Sequence, residues 1–90
     1  MAKIIDVYTT KWCPYCKSAK SLLDQLGHAY REIDIEEAAG AREEMLERSK
    51  GARSVPQIFV GDVHVGGCDD LHALHAKGGL APLVGENTEQ

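Results

Sequence analysis

The sequence predicts one mixed α/β domain in which a four-stranded sheet is flanked by three helices, in the order β-α-β-α-β-β-α. Three observations predict this fold class. The length of 90 residues fits a single domain. Two short apolar runs enclose a stretch of helical periodicity, which is typical of a right-handed unit with parallel strands. Gly61-Asp62 then separates two further apolar runs, a pattern typical of a tight antiparallel hairpin.

The first half of the chain contains two predicted strands, each followed by a helix. Residues 3–8 form a short buried strand, and residues 29–35 form the second. Pro14 fits the first turn of the first helix, where a missing N–H costs nothing, and Gly27 fits the position after its last turn. The second helix is predicted over about Ala38–Lys50. The apolar positions at helical spacing in the first helix are Ala19, Leu22, Leu23 and Leu26.

The second half of the chain contains a predicted hairpin and a last helix. Its strands are Gln57–Val60 and Val63–Val65, on either side of the two-residue turn. Asp69 or Asp70 is the expected N-cap of the last helix, because an aspartate side chain accepts hydrogen bonds from the unpaired N–H groups of a first turn. Gly78-Gly79 is expected to end that helix.

Composition and charge exclude several classes of function. The formal net charge is −4 and no basic run occurs, which argues against nucleic-acid binding. Asp6 interrupts the first apolar residues, so no secretory signal is predicted, and no stretch approaches the roughly 20 apolar residues of a membrane span. The sequence therefore predicts a soluble cytoplasmic monomer, unless an export or transit segment has been removed. Its single domain is expected to span residues 1–85, followed by a disordered polar tail over 86–90.

Chemistry is indicated first by Cys13-Pro14-Tyr15-Cys16, between the first strand and the first helix. A Cys-x-x-Cys beside a β-α-β pattern is typical of a thioredoxin-like redox site. The N-terminus of the helix favours a thiolate at Cys13, because its N–H groups are unpaired and its dipole attracts an anion. Lys11 adds positive charge nearby. Cys16 lies one turn further on, so we expect Cys13 to be the nucleophile and Cys16 the resolving thiol.

Two structural interpretations of this pair are disfavoured. A structural disulfide is unusual in the reducing cytosol. A structural zinc ion needs four ligands, and outside the pair the chain offers only Cys68 and four scattered histidines. No metal site is therefore predicted.

Two further segments suggest a ligand groove. A proline cannot donate to a sheet, so Pro56 marks the start of a strand. A cis Val55–Pro56 bond would turn the N–H and C=O of Val55 outward, where an extended peptide could pair with them, and a trans turn proline is the alternative. In the segment Gly66–Asp70, the N-terminus of the last helix offers N–H groups to a carboxylate. Its two aspartates could instead accept hydrogen bonds from an ammonium group.

These motifs, in their order and spacing, resemble the glutaredoxin family over about residues 3–84, and specifically its dithiol class with the Cys-Pro-Tyr-Cys site. Thioredoxins share the fold, but the chain lacks their typical Cys-Gly-Pro-Cys. The resemblance implies a thioredoxin fold, a cis Pro56 and glutathione lying in a groove beside Cys13. Other glutathione-binding residues that it implies are Tyr15 at the border of the groove, Val55 at the cysteinyl backbone, Gln57 at the glycine carboxylate, and Cys68, Asp69 and Asp70 at the γ-glutamyl end.

The chain departs from the family pattern just before the nucleophile. Many members carry a lysine three residues before it, where this chain has Thr10. Lys11 is the candidate replacement and is counted among the predicted glutathione-binding residues. Trp12 is either a recognition surface for protein substrates or a cover for the edge of the sheet. Cys68 is interpreted as a small buried residue rather than a regulatory thiol.

The predicted function is the reduction of glutathione mixed disulfides and protein disulfides. Glutathione is expected to be a co-substrate, and no permanently bound cofactor is expected. The predicted partners are glutathionylated or disulfide-containing proteins, and ribonucleotide reductase is implied by the family only. An alternative is a [2Fe–2S] cluster carried between two subunits by the nucleophilic cysteine and glutathione. It is disfavoured because Pro14 stiffens the loop and Cys16 competes by forming a disulfide.

Overall fold

The computed structural model describes residues 3–85 of the chain, and the tail predicted over 86–90 lies outside them. These residues form four strands and four helices. Their bounds are β1 Ile5–Thr9, α1 Pro14–Leu26, β2 Arg31–Asp34, α2 Ala41–Arg48, β3 Gln57–Val60, β4 Val63–Gly66, α3 Cys68–Ala76 and α4 Leu80–Val84. None of the helices over 3–85 is long and apolar enough to cross a membrane.

The four strands form one mixed sheet in the order β2-β1-β3-β4. β1 and β2 are parallel, as predicted for the first β-α-β unit. β3 is antiparallel to both β1 and β4. The predicted fold class is confirmed. Because Tyr8 near the end of β1 pairs with Gln57 at the start of β3, the loops that follow β1 and precede β3 meet at one end of the sheet.

The core lies on both faces of the sheet, because successive side chains of the central strands point to opposite sides. On one face, Val7 and Ile58 belong to a buried cluster covered by α1, α3 and α4. On the other face, Tyr8 and Phe59 pack in a smaller cluster with Met45 of α2. This two-sided packing supports the end of the sheet at which the cysteine pair and the proline loop meet.

α2 begins at Ala41, three residues later than predicted. The cause is a turn built on Asp34, whose Oδ1 accepts the N–H groups of Glu36 at 2.8 Å and Glu37 at 3.3 Å. A short acidic side chain of this kind gives the backbone an alternative to the helix. Gly40 then takes a left-handed conformation with φ of 78° immediately before the first helical residue.

The predicted N-cap of α3 was wrong. Gly67 is the N-cap and α3 starts at Cys68, so Asp69 and Asp70 both lie in the first turn. Asp70 bonds backwards, and its Oδ2 accepts the N–H of Gly67 at 3.1 Å. The aspartate therefore still satisfies an unpaired N–H group, but from the third helical position.

α4 was not predicted from the sequence. Gly78-Gly79 indicated an end to helical structure, and Pro82 follows within four residues. Proline is nonetheless tolerated in a first turn, where its missing N–H has no partner within the helix. The five-residue helix is held by burial of its apolar side chains and by Val84, whose C=O accepts the N–H of Lys3 at 2.8 Å.

Candidate active site

Cys13 is the N-cap residue of α1. Its backbone is extended, with φ of −97° and ψ of 109°, and Pro14 occupies the first helical turn. The Sγ atom accepts the N–H of Cys16 at 3.2 Å, and the thiol lies 3.6 Å from the C=O of Val55. The predicted placement at the helix N-terminus is confirmed. A sulfur in this position caps a donor that would otherwise be unpaired, and a thiolate accepts that bond more strongly than a thiol does.

Cys16 lies one turn along α1 and is buried, with 1% of its surface exposed. Burial raises the pKa of Cys16 to about 12, and its hydrogen bond with Cys13 acts in the same direction. A backbone hydrogen bond from Thr10 and the positive charge of Lys20 oppose this shift. Cys16 is therefore a protonated thiol at neutral pH, while Cys13, half-buried and unbridged, is the member of the pair that solvent reaches.

A groove of about 460 Å³ lies beside the cysteine pair, with Val55 forming both a wall of the groove and a contact with Cys13. The peptide bond between Val55 and Pro56 is cis, as the family resemblance implied. The groove brings together the predicted ligand-binding residues Tyr15, Val55, Pro56, Gln57, Cys68, Asp69 and Asp70. Three separate segments of the sequence thus form one surface.

Two glycines in the wall of the groove allow the backbone to lie close to neighbouring groups. Gly66 has a φ of 118°, and a Cβ atom there would lie 2.3 Å from Oδ2 of Asp70. Gly67 packs against the loop of the cis bond, because its Cβ would lie 3.5 Å from the C=O of Pro56. Any side chain at position 66 would displace Asp70 from its hydrogen bond with the N–H of Gly67.

Lys11 does not line the groove. Its Nζ lies 2.8 Å from a carboxylate oxygen of Glu37, and both side chains are largely exposed. An exposed ion pair of this kind contributes at most about 1 kcal/mol, so a ligand carboxylate could compete for the ammonium group. The assignment of Lys11 to glutathione binding stays a prediction.

Exposed aromatic rings border the nucleophile. Trp12 is 86% exposed and Tyr15 is 63% exposed. The interpretation of Trp12 as a cover for the edge of the sheet was therefore wrong. Cys68 is buried, as the small-residue interpretation expected.

His64 is a groove residue that the sequence analysis missed. It contacts the predicted ligand-binding residue Gln57, whose Oε1 lies 2.6 Å from Nε2 of His64. Gln57 is buried, and its Nε2 donates to the C=O of Ser54 at 2.9 Å. The sequence analysis sought only metal-ligand spacing among the histidines. The signal that could have found His64 is its place in the hairpin, opposite Phe59 and next to the strand that begins at Gln57.

A sequence model of the glutaredoxin family matches residues 5–65, more than half of the chain. The chain belongs to the glutaredoxin family. Glutaredoxin 3 of Escherichia coli K12 is 51% identical over 80 residues, which cover 89% of this chain and 95% of that protein. A glutaredoxin of Pseudomonas aeruginosa is 50% identical over 89% of this chain and 94% of its own length.

Solved glutaredoxin structures share the fold. The solution structure of glutaredoxin from Brucella melitensis superimposes with a TM-score of 0.79 at 44% identity, covering 99% of this chain and 96% of that one. Buckwheat glutaredoxin, in a crystal structure of its complex with glutathione, gives a TM-score of 0.81 at 33% identity, covering 91% of this chain and 76% of that one. The fold of this glutaredoxin is therefore the thioredoxin fold, and its general activity is that of a thiol–disulfide oxidoreductase.

Proposed function

We propose that the chain reduces glutathione mixed disulfides and protein disulfides, with Cys13 as the nucleophile and Cys16 as the resolving thiol. The observation that carries this proposal is the asymmetry of the pair. Cys13 reaches solvent at a helix N-terminus, and buried Cys16 donates its backbone N–H to that sulfur at 3.2 Å. Glutathione is the proposed co-substrate, supported by the likeness to buckwheat glutaredoxin in its complex with glutathione.

With a glutathionylated protein, the reaction needs only Cys13. Its thiolate attacks the glutathione sulfur, the disulfide bond breaks, and the protein leaves as a thiolate that takes up a proton. The thiolate of a second glutathione then attacks the glutathionyl sulfur on Cys13. Glutathione disulfide leaves, and the Cys13 thiolate is restored.

With a protein disulfide, Cys16 completes the reaction. Cys13 first forms a mixed disulfide with one substrate sulfur, and the other leaves as a thiolate. Cys16 then loses its proton and attacks the Cys13 sulfur, which releases the substrate and leaves a Cys13–Cys16 disulfide. Forming the mixed disulfide removes the negative charge of Cys13, which is one of the causes that raise the pKa of Cys16. The resolving thiol therefore ionises more easily once it is needed.

Glutathione is proposed to lie along the groove. Val55 pairs with its cysteinyl backbone, while Asp70 and the first N–H groups of α3 meet the γ-glutamyl end. Gln57 meets the glycine carboxylate and Tyr15 borders the ligand. All these residues line the same groove, and Val55 also contacts the nucleophile. The proposed macromolecular partners are glutathionylated or disulfide-bonded proteins.

The test is a glutathione-coupled assay on two substrates, a glutathionylated peptide and a protein disulfide. We expect Cys13→Ser to lose turnover of both. Cys16→Ser should keep turnover of the glutathionylated peptide and lose dithiol reduction of the protein disulfide. The two variants are matched, because each replaces one sulfur of the same motif by oxygen. Full activity of Cys13→Ser would overturn the proposal. No observation in the described residues favours the iron–sulfur alternative.

A further inference from the structure

We propose that His64 is a positioning residue for glutathione, which acts by fixing the side-chain amide of Gln57. This inference rests on the proposed function and assigns to His64 a role in the same groove. His64 belongs to β4, lines the groove and approaches Oε1 of Gln57 with its Nε2 at 2.6 Å. It does not need to touch the reacting sulfur atoms, since it acts through its neighbour.

The hydrogen-bond chemistry fixes which way the amide points. Oε1 of Gln57 can only accept, so Nε2 of His64 must carry a proton and donate. On the other side, Nε2 of Gln57 donates to the C=O of Ser54 at 2.9 Å. In the flipped orientation, Oε1 would face that carbonyl oxygen and two acceptors would repel each other. His64 and Ser54 therefore select the same single orientation.

This orientation matters because of what the amide nitrogen presents. Nε2 of Gln57 has two hydrogens, and the C=O of Ser54 takes one of them. Within residues 3–85, the other contact of this nitrogen is with the hydroxyl of Ser54 at 3.3 Å, a long contact that a carboxylate can replace. Gln57 thus offers a donor, rather than an acceptor, to an anionic group in the groove.

The charge of the groove makes this donor important. Among the described residues, those that line it include Asp69 and Asp70 but neither lysine nor arginine. A ligand carboxylate therefore meets no permanent positive charge from the walls of the groove, where N–H groups are the available directed donors. Rotating the Gln57 amide would add an oxygen to a surface that already carries two acids.

His64 is itself held firmly by the sheet. Its ring stacks on Phe59, with ring centroids 4.7 Å apart and planes 20° from parallel. The two residues are cross-strand partners in the hairpin, and Phe59 is fully buried. The imidazole is thus placed by a rigid neighbour, yet it is exposed on its other side. A substitution that keeps an aromatic ring at position 64 therefore keeps Phe59 covered.

The test uses a pair of variants that separate the donor from the ring. His64→Phe keeps an aromatic ring over Phe59 and removes the donor, whereas His64→Gln keeps an N–H donor and removes the ring. The measurement is KM and kcat for the mixed disulfide of glutathione and a cysteine peptide. His75→Phe, at an exposed position of α3 away from the groove, is the matched control.

We expect His64→Phe to raise KM about threefold to tenfold, the usual effect of one lost hydrogen bond, with kcat within about twofold of the parent. His64→Gln should restore KM to within about twofold of the parent value. A second readout is the side-chain amide signal of Gln57 in NMR spectra, which should shift in His64→Phe and return towards its parent position in His64→Gln.

Failure of the inference about His64 can be distinguished from failure of the proposed function. If the parent protein turns over the mixed disulfide and His64→Phe keeps the parent KM, the inference about His64 is overturned and the proposed function stands. If both His64 variants raise KM equally, the N–H donor kept in His64→Gln does not restore binding, which also overturns the inference. If the parent protein does not turn over the substrate at all, it is the proposed function that fails.

Discussion

At the scale of single residues, the two cysteines of one motif have different environments. Cys13 lies at the solvent-accessible N-cap of a helix, while Cys16 is buried one turn later. The sequence predicted this difference in position and exposure, because helix polarity and a three-residue spacing are local properties. It did not predict the pairing of His64 with Gln57, because that contact depends on the register of two strands.

Burial of Cys16 also makes the stability of the fold depend on pH. The pKa of Cys16 is raised from 9.0 to about 12, so the folded state resists its ionisation more than the unfolded chain does. Its contribution to the free energy of unfolding is therefore fully present below about pH 9 and is lost as pH rises towards 12. Urea unfolding at pH 8 and pH 10.5 should show a larger loss of stability for the parent than for Cys16→Ser.

Comparison with Cys16→Ser is needed because other groups titrate in the same range. Burial also raises the pKa of Tyr8 and of Tyr30, and both tyrosines are present in the variant as well as in the parent. Equal losses of stability in the two proteins would show that the thiol of Cys16 ionises as readily in the folded state as in the unfolded chain.

At the scale of the elements, the sequence predicted the strands of the hairpin better than the helix boundaries. Two short apolar runs and a two-residue turn fix β3 and β4 locally, so their bounds were correct to within one residue. The start of α2 depended on an aspartate turn at Asp34, and α4 on burial against the core. Both are decided by interactions that compete with local propensity, which periodicity alone does not show.

The junction of β4 with α3 allows a prediction about glycine. Gly66→Ala should lose more stability than Gly78→Ala, although both glycines have positive φ. At Gly78 an added methyl group would meet nothing within 4 Å, so only the backbone strain of about 1–2 kcal/mol applies. At Gly66 the methyl group also displaces Asp70, which loses a hydrogen bond worth about 1 kcal/mol more.

Urea denaturation of the two variants measures the difference in the free energy of unfolding. Under the proposed function, Gly66→Ala should in addition raise KM for a glutathione mixed disulfide, whereas Gly78→Ala should not, because Gly78 lies outside the groove. Equal destabilisation of the two variants, with unchanged KM in both, would contradict the role given to the Gly66–Asp70 contact.

At the scale of the whole molecule, the antiparallel placement of β3 against β1 creates the site. It brings the cysteine loop, the cis-proline loop and the start of α3 to one end of the sheet. These three segments were identified from their sequence motifs as parts of a candidate site, and the resemblance to the glutaredoxin family implied that they meet. Their distances, the exposure of Trp12 and the pairing of Lys11 with Glu37 required the folded chain.

The most direct test of the central claim is to trap the first covalent intermediate. Cys16→Ser is mixed with a glutathionylated peptide without free glutathione, and the protein is mapped by mass spectrometry. We expect one glutathionyl group, attached to Cys13, with release of the peptide thiol, and no such adduct on Cys13→Ser. Glutathionylation of Cys68 in place of Cys13, or an unmodified Cys16→Ser protein, would contradict it.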